Sequence, residues 1–237
     1  MKPILVLAGG FGTRLKSVVS NVPKPLAPVC GKPFLMYLIE HLVSQGGREF
    51  VFLLHYEAEL IESMIADFSG RKIMDGVTIR SIVEGVPLGT GGSIMNAIDT
   101  LKIDKSFLVV NADTWLGDGL KQLNLSSVNS MAAIKVKDCS RYGTLVVEER
   151  KVKKFLEKEL SSKSGLINAG LYHLSPNIFR DFLGNDNFSL EGDIFPKLAD
   201  NGILSAMEIE TDFIDIGMPR DYLRFCRWIE SGKEIEL

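Results

Sequence analysis

The stretch "LAGGFGTRLKSVVSNVPKPLAPV", Leu7 to Val29, follows the apolar tripeptide Ile4-Leu5-Val6. Such an order reads as a short buried strand running directly into a turn dense in glycine, at Gly9, Gly10 and Gly12. Glycines remove Cβ atoms, and consecutive N–H groups can then form an anion-binding concavity. The turn therefore points to phosphate. A dinucleotide fingerprint, G-x-G-x-x-G, needs its third glycine for close helix–strand packing. Gly10 and Gly12 fit that pattern, but the third slot holds Leu15. Pro23, Pro25 and Pro28 are expected to hold the following loop extended, so no helix begins promptly. A Walker-type loop fails too, because no Gly-Lys-Ser/Thr follows the turn. The stretch offers two cations instead. Arg14 can grip phosphate oxygens bidentately, and Lys24 supplies a point charge on a proline-stiffened segment.

Outward from this loop, strand and helix patterns alternate. "PFLMYLIEHLVSQG" carries a helical stripe at Leu35, Leu38, Ile39, Leu42 and Val43, closed by Gly46 and Gly47. "EFVFLL" reads as a strand, "EAELIESMIADF" as a helix, "VTIRSIVE" as a strand, "GGSIMNAIDTL" as a helix and "SFLVVNADT" as a buried strand. A βαβαβ rhythm predicts a mixed, mostly parallel sheet flanked by helices, an α/β fold of Rossmann-like type. The second half changes texture. "SMAAIKVKD", "YGTLVVEE", "KVKKFLEK" and "GLINAGLYHL" are strand-like with short connections and predict a small β-rich extension. Helices are expected again at "NIFRDFL", "DIFPKLA" and "PRDYLRFCRWIE". The expectation is one domain over 1–237, with a nucleotide-binding half at 1–130 and a sugar-phosphate-binding half at 131–237. The apolar stripe near the C-terminus admits a homodimer or a place in the core.

Composition narrows the partners. With 46% hydrophobic and 24% charged residues among 237, the chain can bury a sizeable core. A net charge of -3 argues against a nucleic-acid surface. Cys30, Cys139 and Cys226 are odd in number and form no C-x-x-C pair, which suits reduced thiols in a cytoplasm. No stretch approaches a membrane span, so the expectation is a cytoplasmic protein with neither membrane nor nucleic-acid partner.

"LAGGFGTRL" followed by "PKPLAPV" resembles the signature of the sugar-1-phosphate nucleotidylyltransferases. Further matches follow in the family's order: "PLGTGGSI", "NADT", "RYGTL", "FLEK", "INAGLY" and "FIDIGMPRDY". In length and wording the chain is most similar to the short guanylyltransferases acting on heptose 1-phosphate. The resemblance implies a nucleotidyltransferase fold of GT-A-like type and a single displacement. A sugar 1-phosphate oxygen attacks the α-phosphorus of an NTP, and pyrophosphate leaves. That nucleophile is already an anion near neutral pH, so the obstacle is repulsion between polyanions, which cations and a metal ion relieve.

On this reading Asp113 and Asp215 are metal ligands, and their hard oxygens suit Mg²⁺. Asp113 follows the strand-like "FLVV", Asp215 lies in the apolar run "FIDIG", and Asp212 stays outside the site. Arg14 clamps the leaving phosphates, and Lys24 lies between the α-phosphate and the sugar phosphate. The resemblance assembles the nucleotide pocket from Leu7, Ala8, Gly9, Gly10 and Gly12 with Glu84, Gly89 and Thr90. Gly91 beside them keeps the backbone open to the nucleoside. A carboxylate at Glu84 can accept from both N1–H and the N2 amine of guanine, which favours GTP. For the sugar phosphate, Gly143 permits close approach, Glu157 accepts from hydroxyls, Lys158 neutralises charge, and Asn168 offers donor and acceptor. Phe11 is expected to stiffen the first loop. Two alternatives stay open: transfer to another hexose 1-phosphate, and a nucleotide-sugar sensor without turnover. An NAD-binding oxidoreductase is disfavoured by Leu15.

Overall fold

A computed structural model describes residues 1–232 apart from Lys16, Asn21, 157–162 and 185–186. Glu157 and Lys158 lie outside the described residues. The chain begins with β1 (Ile4–Leu7), β2 (Pro28–Val29), β3 (Lys32–Pro33), α1 (Phe34–Ser44), β4 (Glu49–Leu54), α2 (Ala58–Ser69) and β5 (Thr78–Val83). It continues through α3 (Gly89–Leu101), β6 (Phe107–Asn111), β7 (Thr114–Leu116), α4 (Leu120–Leu125) and β8 (Ser130–Val136). Next come β9 (Thr144–Glu148), β10 (Lys151–Leu156), β11 (Gly165–Leu174), α5 (Phe195–Asp200), β12 (Ser205–Glu208), β13 (Phe213–Asp215) and α6 (Pro219–Glu230).

These elements form two compact units that interleave along the chain instead of changing over once near residue 130. Met1–Gly85, Val110–Gly117 and Asp212–Leu237 make the first, and Val86–Val109 with Asp118–Thr211 the second.

In the first unit β1 pairs in parallel with β4, and β4 with β5, placing Leu7 opposite Leu53 and Leu54 opposite Val83. Every residue of β4 after Glu49 is buried, as a parallel strand covered on both faces requires. All five apolar residues of the predicted stripe on α1 are buried, and the chain turns off the helix at Gly46, whose φ is +100°. Helix α6 turns Tyr222 and Phe225 inward. The Phe225 ring lies 4.9 Å from Phe34 and 5.5 Å from Trp115. The C-terminal stripe is thus mainly core, with Leu223 left exposed.

In the second unit β8 pairs antiparallel with β11 and parallel with β12. Strand β10 runs antiparallel to β12 and to β9, and β9 pairs again with β11. The five strands therefore close into a ring, the form taken by the predicted β-rich extension. Glu149 and Arg150, both at positive φ (48° and 64°), make the two-residue turn between β9 and β10, matching the twist of a tight hairpin.

Several local expectations need correction. The proline loop is not simply extended: Lys24–Leu26 forms a 3₁₀ turn, with Leu26 N donating to Pro23 O and Ala27 N to Lys24 O. Pro25 fits there because the first turn needs no N–H from it. "NIFRDFL" is a 3₁₀ segment, Pro176–Phe182, capped by Ser175 and stopped before Gly184 at φ +87°. "DIFPKLA" divides into a π-helical turn, Leu190–Ile194, and α5. Pro196 has no N–H to give to the preceding turn, and the chain widens ahead of it. Among the described residues, no helix is long and apolar enough to cross a membrane.

Candidate active site

In the first unit the chemistry-bearing residues collect at the carboxyl ends of the strands, where parallel sheets offer their loops to ligands. The glycine turn leaves β1, with Ala8 N donating to Leu53 O at 3.1 Å. Ala112 N donates to Leu7 O at 3.1 Å, which brings the end of β6 beside the end of β1 and delivers Asp113 to that edge. Asp215 arrives by another route. Strands β7 and β13 form an antiparallel ribbon in which Asp215 faces Thr114 and Ile214 faces Trp115, and Ile216 N donates to Asp113 O at 3.0 Å. Two carboxylates far apart in sequence are thereby held side by side.

The ribbon is anchored from below. Trp115 is fully buried and stacks on His41 at 4.2 Å, while His41 Nε2 lies 2.9 Å from the Leu116 carbonyl.

Lys24 completes the cluster. Its ammonium donates to Asp113 Oδ2 and lies 3.7 Å from Asp215 Oδ1. Thr114 donates to Asp113 Oδ1 at 3.1 Å, and Gly217 N donates to Asp215 Oδ1 at 2.7 Å. Burial alone would raise the Asp113 carboxyl; the Lys24 charge and hydrogen bond, with help from Thr114, hold it below its ordinary value. Asp215 behaves oppositely. Burial and the neighbouring Asp113 charge raise it, and Lys24, Gly217 and Arg14 offset this only in part. The pair thus carries more negative charge than one lysine neutralises, and it attracts cations.

The other residues of the first loop differ in setting. Arg14 is exposed on a 3₁₀ turn, near enough for its charge to act on Asp215. Leu15, in the slot where a dinucleotide loop needs glycine, is a core residue at 1% exposure. Gly12 has φ +59°, and a Cβ there would meet Lys24 Cβ at 2.8 Å, so this glycine makes room for the lysine stem. Gly10 is open, with nothing near its Cβ position. Phe11 leans on the rings of His55 and Tyr56 at 5.7 and 5.4 Å, the means by which it steadies the turn. Glu84 sits just past β5 and is buried; its N–H donates to Leu54 O and its carbonyl lies 3.0 Å from His55 Nδ1.

Among the described residues, five expected near the site lie in the second unit. Gly89, with φ +73°, would place a Cβ 2.5 Å from Phe188 O, and Gly91 would meet the Phe188 ring. These glycines admit a neighbouring segment of the chain, a different close approach from the nucleoside expected of them. The Thr90 hydroxyl donates to Glu191 at 2.9 Å and accepts from Leu190 N at 2.8 Å. A Cβ at Gly143 would meet the Phe155 ring at 2.8 Å, so the close approach it permits is aromatic. Asn168 donates to the Tyr172 hydroxyl at 2.9 Å and accepts from Gly170 N at 3.0 Å, leaving one amide N–H to give.

A family model described as nucleotidyl transferase matches residues 3–231. The chain belongs to the nucleotidyl transferase family. Similar to it is a D-glycero-alpha-D-manno-heptose 1-phosphate guanylyltransferase of Campylobacter jejuni, 37% identical over 93% of this chain and 97% of that protein. A mannose-1-phosphate guanylyltransferase catalytic subunit beta of Danio rerio is 34% identical over 97% of this chain but only 65% of its own length. Among solved structures, HddC from Yersinia pseudotuberculosis complexed with GMP-PN superposes with a TM-score of 0.83 at 36% identity, covering 97% of this chain and 100% of that one.

For a nucleotidyl transferase the Asp113–Asp215 pair is a suitable donor set for Mg²⁺. That ion is satisfied by one or two carboxylates together with water and substrate phosphates. It needs no larger cluster, and none of three or more His, Cys, Asp or Glu exists among the described residues. Two participants escaped the sequence reading. Thr114 orients Asp113. A Cβ at Gly217 would stand 2.7 Å from Asp215 Oδ1 and 2.8 Å from Lys24 Nζ. The signal was a glycine two residues past the aspartate in "FIDIG".

Proposed function

We propose that this nucleotidyl transferase is a guanylyltransferase joining the GMP moiety of GTP to a heptose 1-phosphate, with release of pyrophosphate. The observation carrying this reading is the gathering of Lys24, Asp113 and Asp215 at the carboxyl ends of the strands beside the glycine turn. Mg²⁺, held by Asp113 and Asp215, supplies neutralisation of phosphate charge when bound. Lys24 orients and neutralises the phosphates that must meet, and Arg14 holds the leaving ones. The first-loop N–H groups bind the triphosphate, and Glu84 reads N1–H and the N2 amine of guanine. Asn168, with Gly143, Glu157 and Lys158, serves the sugar phosphate. No general base is required, because the attacking oxygen is already anionic.

Support for GTP comes from the guanylyltransferase names of the relatives and from GMP-PN in the HddC complex. Support for heptose comes from the Campylobacter relative, which this chain matches over nearly all of both lengths. The mannose relatives make mannose 1-phosphate the second sugar to try. We place the reaction in the cytoplasm, where NTPs are available. The test is pyrophosphate release from four NTPs crossed with heptose, mannose and glucose 1-phosphates, with and without Mg²⁺. Release with GTP and heptose 1-phosphate alone is expected. A site built on buried hydrogen bonds rejects partners lacking them sharply. Release with UTP or dTTP in preference to GTP overturns the base assignment, and binding without release favours a sensor.

A further inference from the structure

Two glycines shape the path of Lys24. Gly12 lies against the start of its stem and Gly217 against its ammonium; a Cβ at either would come within 2.8 Å of the lysine. Its side chain is only 11% exposed, and its ammonium touches Asp113 while standing 3.7 Å from Asp215. The lysine therefore fills a prepared place, against the two carboxylates that would hold a divalent cation. An ammonium and a metal ion cannot both occupy that place, because like charges in contact repel and each needs the same lone pairs.

We propose that Lys24 is a tethered cation that competes with divalent metal for the Asp113–Asp215 pair, so that metal binds weakly until an anionic substrate draws the ammonium away. The idea rests on the reading of these aspartates as metal ligands. It adds that one of the two carboxylate charges is balanced between turnovers, which spares the fold part of the repulsion within the pair. It also adds that metal arrives with, or after, nucleotide. Lys24 then leaves the carboxylates for phosphate oxygens, where its charge serves the transfer. One side chain both guards the metal site and acts on the substrate.

The experiment measures Mn²⁺ binding to the full chain without nucleotide, by the loss of the free-ion electron paramagnetic resonance signal. Wild type is compared with Lys24→Met and with the double variant Lys24→Met/Asp113→Asn. Binding to Lys24→Met at least tenfold tighter than to wild type, lost again in the double variant, is the expected result. Equal, tight binding to wild type and Lys24→Met overturns the competition while leaving the metal reading intact. No binding to any of them, even with a non-hydrolysable GTP analogue added, overturns both.

Should Lys24→Met fail to fold, wild type alone decides. Acetylation of Lys24 by acetic anhydride, read by peptide mass spectrometry, is expected to rise severalfold with saturating Mg²⁺. Unchanged labelling, with Mg²⁺ binding verified by calorimetry, sinks the proposal.

Discussion

The first unit assembles its charged side chains from Lys24, Asp113 and Asp215, three points far apart in sequence that meet within a few ångströms. The second unit keeps many of its polar side chains in short-range pairs: Asn168 with Tyr172 and Gly170, Ser126 with Leu123, Arg141 with Tyr142. Pairing of the longer strands differs in the same sense: β1, β4 and β5 of the first unit are parallel, beside its short antiparallel ribbons, and the second unit is largely antiparallel. Parallel strands deliver all their carboxyl ends to one edge, so loops from remote segments converge there. The tight turn between β9 and β10 returns residues to near neighbours in the chain, as do the local pairs of Asn168 and Ser126. Convergence creates a cluster of mismatched charge, and local return creates a satisfied frame.

If that contrast is right, the largest losses of activity follow changes to the convergent charges. Asp113→Asn and Asp215→Asn should each lower kcat by about 10³-fold, as expected when a charge-stabilising metal site is lost. Asp212→Asn, on an exposed residue nearby, should stay within about twofold. Pyrophosphate release checks both, and a large effect at Asp212 breaks the distinction. Next comes Trp115→Ala, which removes the anchor under the β7–β13 ribbon. It should cost about 3–5 kcal/mol of stability in denaturant unfolding. Gly217→Ala probes position without removing charge. Its Cβ displaces Lys24 and Asp215, and about 10²-fold loss of kcat is expected with the unfolding midpoint nearly kept.

Smaller effects belong to satisfied hydrogen bonds away from the charged cluster. Asn168→Ala breaks two internal hydrogen bonds, a change of about 1–3 kcal/mol in stability. It should raise KM for the sugar phosphate without altering KM for GTP; a change confined to GTP would assign the residue to the other substrate. The smallest concerns Tyr222, whose hydroxyl donates to the Pro28 carbonyl. Burial, then the adjacent Cys226, pushes its phenol up to about 12. Because the folded value lies above the ordinary one near 10, this contribution is complete below about pH 10. It fades as pH rises through about 12. Ultraviolet titration should show a late tyrosine that is absent in Tyr222→Phe, a change that itself costs about 1 kcal/mol.

How much of this was readable from residues alone follows the same contrast. The helix at Phe34–Ser44 and the strand at Glu49–Leu54 announce themselves, since their periodicity is long enough to be seen. The residue types of the cluster were legible, as was the family. Their meeting was legible only through the family resemblance, because β7 and β13 are three residues each, too short for alternation to register. Glycines were read as openings for ligands. At Gly89, Gly91 and Gly143 the close neighbour is a phenylalanine or its backbone, and a sequence does not say which partner a missing Cβ admits.

The interleaving of the units has a consequence for a chain still on the ribosome. When Thr211 has been added, every segment of the second unit exists, yet the first still lacks β13, α6 and Asp215. At about 5–20 residues per second, the stretch through Glu230 needs roughly one to four seconds more. Through that interval Lys24 has only Asp113 to neutralise. The charged cluster is therefore completed only after every segment of the second unit has been made, by a carboxylate about two hundred residues beyond the loop that began it.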